Sequence, residues 1–317
     1  MVHKPEWFRD GEVFVSYAPT VGINKDGEDL FIVDAESGIR STVIDNRVQE
    51  DVVALFAGEV TSTSRWINVE KNSGRPLGVP VYFDDRSIDA FYEFMDDEDM
   101  GSFTARSLGS LIDDGILVAR QGHGSPSADL RTGSVPYIKV SDLRAGQVNI
   151  NPTNRVNDAV AQKHWRGKSS GLSPYDLLTP IRTSKNIGDF SVLMPGQEQL
   201  VLTKEILVLH AAEQAYFDNF YLLWAMSLKA VRRQWDRIVF MQTNREDVGL
   251  RYREVMIPFP PDFDTAYRTS GAVREYYEGM QKLRSQYMEY LERDGRHHIF
   301  MSTVEYIEDE NDYQLDL

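Results

Sequence analysis

The spacing of apolar residues along this 317-residue chain changes several times, and each change marks a different element. Between residues 12 and 60 short apolar runs, Val13 to Tyr17 and Leu30 to Val33, alternate with the turns Asn24-Lys25-Asp26-Gly27 and Glu36-Ser37-Gly38. Asp-Gly between two apolar runs is a hairpin signal, so the region reads as β-rich. From 86 to 99 the period becomes helical. Ile88, Phe91, Tyr92 and Met95 share a face behind a capping Asp84 or Ser87. The acidic run 96–100 that follows reads equally as a linker or as a solvated helix end.

From about Ser102 short strands and frequent turns take over. Apolar runs at 116–120, 135–140, about 178–183, 189–194 and 200–209 predict strands. One helix is expected over 214–235, with Tyr216, Phe220, Leu223, Trp224, Leu228 and Val231 on its apolar face. Ile257-Pro258-Phe259-Pro260-Pro261 ends regular structure abruptly. A long helix is expected from Phe263 to Arg293. Val273, Tyr276, Met280, Leu283, Tyr287 and Tyr290 follow the 3-4-3-4-3 spacing of a coiled-coil seam. Such a stripe packs either on the chain's own body or on a partner helix. The acidic tail after Tyr306 reads as frayed. The fold class expected is α+β: a β-rich N-terminal region over 1–101, a mixed α/β domain over 102–261, a coiled-coil-type helix over 262–295 and an acidic tail over 296–317.

Composition removes several chemistries. With no cysteine, disulfides, thiolate zinc sites and cysteine nucleophiles are excluded, in keeping with a reducing compartment. The first residues lack the pattern of a signal peptide and no apolar run is long enough to span a membrane, so a cytoplasmic location is expected. The six histidines form no metal-binding spacing, and the Gly-rich loop 122–124 lacks the Gly-Lys-Ser/Thr of a phosphate cradle. Asn151-Pro152-Thr153-Asn154 lacks the aromatic that would hold a flipped base in a methyltransferase. No catalytic residue, metal or cofactor is assigned. Dispersed carboxylates leave a nuclease as a third reading, testable by magnesium-dependent cleavage.

Charge is distributed unevenly. The net of −15 resolves into −12 over 1–104, +4 over 105–261 and −7 over 262–317. Phosphate contacts need cations, so a nucleic-acid surface is expected only in the middle, with the acidic flanks turned away or facing a protein.

That middle holds four groups of potential base readers. Reading a sequence takes Arg or Lys against guanine, Asn or Gln against adenine, and hydroxyls or amides against phosphate. Arg120, Gln121, His123 and Ser125 form the first group, and Lys163, Trp165, Arg166 and Lys168, beside His164, the second. The third comprises Arg182, Thr183, Lys185 and Asn186, and the fourth Gln242, Asn244 and Arg245 around Thr243. For any one of these residues an ordinary solvated loop side chain is the commoner outcome, so the expectation attaches to the set.

The motifs Leu108-Gly109, Pro136-Tyr137-Ile138 with Ser141-Asp142, Tyr175-Asp176-Leu177-Leu178, Ile187-Gly188, Gln242-Thr243-Asn244 and Ile257-Pro258-Phe259-Pro260-Pro261 occur in that order over roughly 105–293. In this order they resemble the target-recognition domain of type I restriction–modification specificity subunits. The stretch 18–27 is similar to a hairpin that follows the catalytic core of adenine methyltransferases carrying their own recognition domain. The resemblance implies a non-catalytic module that binds double-stranded DNA and directs a partner DNA adenine methyltransferase. A full subunit has two recognition halves, whereas this chain has one, which implies a possible homodimer. The competing reading is a protein-interaction or regulatory module that keeps the fold without binding DNA.

Overall fold

A computed structural model describes residues 3–72, 78–126, 133–149, 152–182, 184–242 and 245–293. Two compact units divide between Asp89 and Ala90.

The first unit contains β1 (Glu12–Ser16), β2 (Phe31–Val33), β3 (Arg40–Ile44), α1 (Arg47–Ala57) and β4 (Ser64–Asn68), followed by the start of α2 (Arg86–Met95). The hairpin expected between 13–17 and 30–33 does not form. β1 pairs with β4, from Glu12↔Asn68 to Ser16↔Ser64, and β2 pairs with β3. The Asp-Gly turn closes only the bridge Ile23↔Asp29, because the Asn24 side chain accepts from the backbone of both Asp26 and Glu28 and curls the loop locally. Helix α1 interrupts the region read as β-rich. Asn46 caps it by accepting from Gln49 N–H, and Gly58 ends it in the left-handed conformation.

The second unit begins in α2 and continues through β5 (Thr104–Ser107), α3 (Leu108–Asp113), β6 (Leu117–Gln121), β7 (Val135–Ile138), β8 (Leu143–Arg144), β9 (Gln147–Val148), β10 (Arg155–Val156) and α4 (Asp158–Trp165). Next come β11 (Leu177–Pro180), β12 (Ser191–Val192), β13 (Val201–Leu202), β14 (Ile206–Ala211), α5 (Asn219–Ser227), α6 (Lys229–Arg232) and α7 (Gln234–Ile238). It closes with β15 (Phe240–Gln242), β16 (Arg245–Asp247), β17 (Met256–Phe259), α8 (Phe263–Thr269) and α9 (Gly271–Arg293). The architecture is α+β.

Its centre is a six-stranded sheet of order β6-β14-β11-β12-β9-β8. Both faces are covered, which explains the near-continuous apolar run of β14. Leu207, Leu209 and Ala211 enter the main core with the helices, while Ile206 and Val208 enter a second core with Ile138, Leu178 and Leu202. A smaller sheet, β10-β7-β13, carries α4 through Val135, Tyr137, Val156, Ala161 and Val201.

Two expected helices are subdivided. The run 214–235 becomes α5, α6 and α7. Asp218 caps α5 through the N–H groups of Phe220 and Tyr221, and Leu228 is extended (φ −61°, ψ 132°) between α5 and α6. The long terminal helix breaks at buried Ser270, whose Oγ donates to Ala266 O at 2.9 Å. In α9 the buried face is turned one step from the expected seam. Tyr277 is buried and donates to Gly146 O at 3.0 Å, and Val273 and Met280 pack beside it, but Tyr276, Leu283, Tyr287 and Tyr290 are exposed.

Candidate nucleic-acid interface

The central sheet brings the candidate loops together. β6 and β14 are antiparallel with Gln121 opposite Leu207, and β11 and β14 are antiparallel with Pro180 opposite Ile206. The chain therefore leaves β6 and β11, and enters β14, at one and the same end of the sheet. Backbone bonds extend the alignment past the strands, since Gly122 N–H donates to Ile206 O and Ile181 N–H to Glu205 O, each at 2.9 Å. The turn Thr203-Lys204-Glu205 lies between the loop after β6 and the loop after β11.

The group at 163–170 joins this end through His123. The ring Nδ1 accepts from Leu202 N–H at 3.0 Å while Nε2 lies 2.9 Å from Ser170 O. Nδ1 must be unprotonated to accept, so Nε2 carries the proton and donates. Both nitrogens are thus engaged by backbone, and burial lowers the pKa of the ring, with Arg120 and His164 adding to the shift. Arg120 donates to Ser170 O at 3.3 Å and to Gly171 O, with the buried Asp176 carboxylate 3.8 Å away. Gly122 is essential to this junction, because a Cβ there would lie 2.0 Å from Thr203 O.

The fourth group joins through Arg182. Its backbone bridges Asp247 in β16, and its Nε donates to Asp247 Oδ2 at 2.5 Å. β15 and β16 pair with Gln242 opposite Arg245. Thr183 and Asn244 lie outside the described residues.

The side chains of Gln242 and Arg245 lie outside the described ones, and the remaining described candidates fall into two sorts. Some serve the scaffold: His123 and Arg120 as described, and Arg182; Ser125 is exposed, with its Oγ 3.4 Å from Thr203 Oγ1. Trp165 also serves the scaffold. It ends α4, packs on the small sheet's core, and donates from Nε1 to Leu200 O at 2.9 Å. The region read as a loop at 163–170 is in fact half helix: Lys163 sits in the last turn of α4, and Arg166 caps it with a left-handed backbone at φ 59°. The others are exposed and available. Lys163, Arg166, Lys168 and Lys185 are solvated and pair with no described acidic side chain, Gln121 is exposed, and Asn186 lines a cleft of about 250 Å³ beside Ala145, Gly146 and Pro180. Lys204, exposed at the centre of the converging turns, is absent from the residues that the sequence nominates. The available signal was a lone Lys-Glu pair between two apolar strands, the composition of a strand-connecting turn.

The stretch 133–147, which carries the Pro-Tyr-Ile and Ser-Asp motifs, builds scaffold. β7 leads through a 3₁₀ turn, in which Asp142 Oδ2 accepts from Lys139 N–H, into the β8–β9 hairpin. The hairpin turn is Ala145-Gly146 with φ 50° and 75°, the sign needed at both positions of a type I′ turn.

Among the described residues no group of His, Cys, Asp and Glu is arranged to hold a metal ion, and no helix is long and apolar enough to cross a membrane. No family model matches the chain, and no curated protein matches it. Solved structures do. The S subunit of a type I restriction–modification system from M. genitalium aligns at 14% identity and a TM-score of 0.40, over 58% of this chain and 41% of that one. The HsdS subunit from Thermoanaerobacter tengcongensis aligns at 14% identity and a TM-score of 0.36, over 79% and 60%. The type IIG restriction endonuclease BpuSI aligns at 11% identity and a TM-score of 0.44, over 71% and 33%. The chain thus spans less than two thirds of the length of each of these proteins.

Proposed function

We propose that this chain is a sequence-specific DNA-recognition module of a restriction–modification system, reading one part of a target on double-stranded DNA for a partner adenine methyltransferase. The observation that carries this reading is the convergence of four loop groups at one end of the central sheet, with Lys163, Arg166, Lys168, Lys185 and Lys204 exposed. Exposed cations on a rigid platform suit phosphate contact, and Gln121 and Asn186 beside them offer the amide groups that read adenine. The scaffold residues Arg120, His123, Trp165 and Arg182 hold the loops in register and make no base contacts of their own. No catalytic step is assigned to the chain; methyl transfer belongs to the partner.

Binding to sequence-randomised duplexes at several salt concentrations, with and without a co-expressed adenine methyltransferase, tests the reading. Salt-sensitive binding that enriches one sequence supports it, and its absence under both conditions ends it. A protein-binding module without DNA affinity is the second reading, favoured by the acidic segments on either side. Charge reversal at Lys163, Arg166 and Lys168 separates the two, since DNA binding falls steeply and binding of a protein through the acidic flanks survives.

A further inference from the structure

Helix α1 in the first unit is inside out for a self-contained domain. Beside the small Ala54 its buried position is a carboxylate: Asp51 is 0% exposed, whereas Val53 and Phe56 are 62% and 65% exposed and Val52 lies beside them in solvent. The arrangement is locked by hydrogen bonds. Ser16 Oγ donates to Asp51 Oδ2 at 2.5 Å, Thr63 Oγ1 donates to Oδ1 at 2.9 Å, and Thr61 Oγ1 donates to the same oxygen. Rotating the helix to bury Val53 and Phe56 would expel a carboxylate from three hydroxyl donors, so the apolar face is held outward. Val43 and Ile44 at the end of β3 and Val60 beyond α1 are exposed as well.

A groove of about 490 Å³ runs here, with Ile44, Val53, Ala54 and Ala57 as its apolar walls and Glu50 and Glu59 on its rim. The nearby cation Arg47 is committed to Asp45 at 2.8 Å and to Glu50 at 3.1 Å. Arg9 donates to Gly58 O at 2.9 Å and offsets the carbonyl end of α1. The negative sign of the rim therefore comes from Asp45, Glu50 and Glu59, which outnumber Arg47. Residues 1–89 as a whole hold sixteen Asp and Glu against nine Lys and Arg.

We propose that this groove docks an amphipathic basic helix of a partner protein, its aliphatic face against Val53, Ala57 and Ile44 and its Lys or Arg flank toward Glu50 and Glu59. A helix laid in an apolar groove is an established mode of recognition, and here the sign of the rim selects the occupant. A second copy is the wrong match, because a two-fold interface would bring together two rims of the same net negative sign. Duplex DNA is excluded by the same sign. The inference deepens the proposed function, which calls for a catalytic partner, and rests on it only in identifying that partner as the methyltransferase.

The test uses the full chain and two labelled helical peptides of equal length, one with a leucine face and lysine flanks, the other with glutamate in place of lysine. The lysine peptide binds one to one, the glutamate peptide does not, and Val53→Asp with Ala57→Asp weakens binding at least tenfold. Both substitutions add negative charge. A purely electrostatic association with an acidic chain would therefore tighten, and unchanged or tighter binding overturns the proposal. Self-association of the wild type that the double variant abolishes, seen by sedimentation, also overturns it in favour of a second copy. Both positions are exposed, so the variant keeps its thermal midpoint and its DNA affinity. Retained DNA affinity beside lost peptide binding distinguishes this surface from the recognition end of the sheet.

Discussion

Arg182 meets Asp247 twice, once through a backbone bridge and once through its guanidinium at 2.5 Å from Oδ2. This pairing sets the β15–β16 hairpin against the loop after β11. Because the Asp247 carboxylate is nearly buried while Arg182 is about half exposed, removing the arginine strands an anion but leaves it some access to water. Arg182→Ala is expected to cost about 1–2 kcal/mol. It should also reduce sequence discrimination more than total DNA affinity, measured as specific against random-duplex binding. Arg182→Lys keeps the charge without the planar fork and should recover only part of both.

The exposed cations should act differently from the scaffold residues. Alanine at Lys163, Lys168 or Lys204 leaves the thermal midpoint unchanged, because none pairs with a described acidic side chain. Each lysine that neutralises a phosphate contributes about 0.9 to the slope of log affinity against log salt, and its removal flattens the slope by that amount. A titration series across salt concentrations reads this directly, and an unaltered slope in the triple variant would remove these residues from the interface.

Two histidines give opposite pH signatures. Burial lowers the pKa of His123 below the ordinary 6.5, and protonating Nδ1 destroys its bond from Leu202 N–H. Its contribution is therefore present above pH 6.5 and lost as pH falls through the depressed folded value. His210 is the reverse. Its hydrogen bond to Asp176, at 2.7 Å, raises its pKa, so its contribution is full below 6.5 and lost as pH rises through the folded value. Thermal midpoints across a range of about pH 4–9 should show the acid-side loss shrink in His123→Gln and the neutral-to-alkaline loss shrink in His210→Gln.

Gly122→Ala places a methyl group against Thr203 O at 2.0 Å, where only backbone can yield. We expect a loss of about 3 kcal/mol and weakened binding, because the loop after β6 must part from the turn at Lys204. Calorimetry checks the first effect and a duplex titration the second.

Much of the second unit was legible because its strands are buried on both faces and read as continuous apolar runs, as in Ile206 to Leu209. The exit at Ile257-Pro258 and the α9 helix were legible for the opposite reason, abrupt punctuation followed by long periodicity. Three features were not. α1 was hidden by its inverted pattern, although Asn46 with Gln49 three residues on was a cap signal in plain sight. The buried register of α9 depends on Tyr277, which follows an equally apolar Tyr276, and only the tertiary bond to Gly146 O decides between them. At the end of the sheet where the loops converge, residue type could nominate Arg120, His123 and Trp165. It could not reveal that carbonyls 35 to 51 residues away occupy their donors. Lys204 carried no distinguishing neighbour and becomes notable only once the strand register places it between two other turns.

Strand β14 forms a wall of both the main core and the second core, through alternate side chains of the same six residues. Neither core can melt alone without stripping apolar partners from the other. The amides of Leu207, Val208 and Leu209 should accordingly exchange with deuterium only through global opening, at one common and slowest rate, while those of α4 exchange through cheaper local excursions. The platform beneath the converging loops would then be the last part of the second unit to lose its shape, and the side chains mounted on it would remain in register whenever the chain is folded at all.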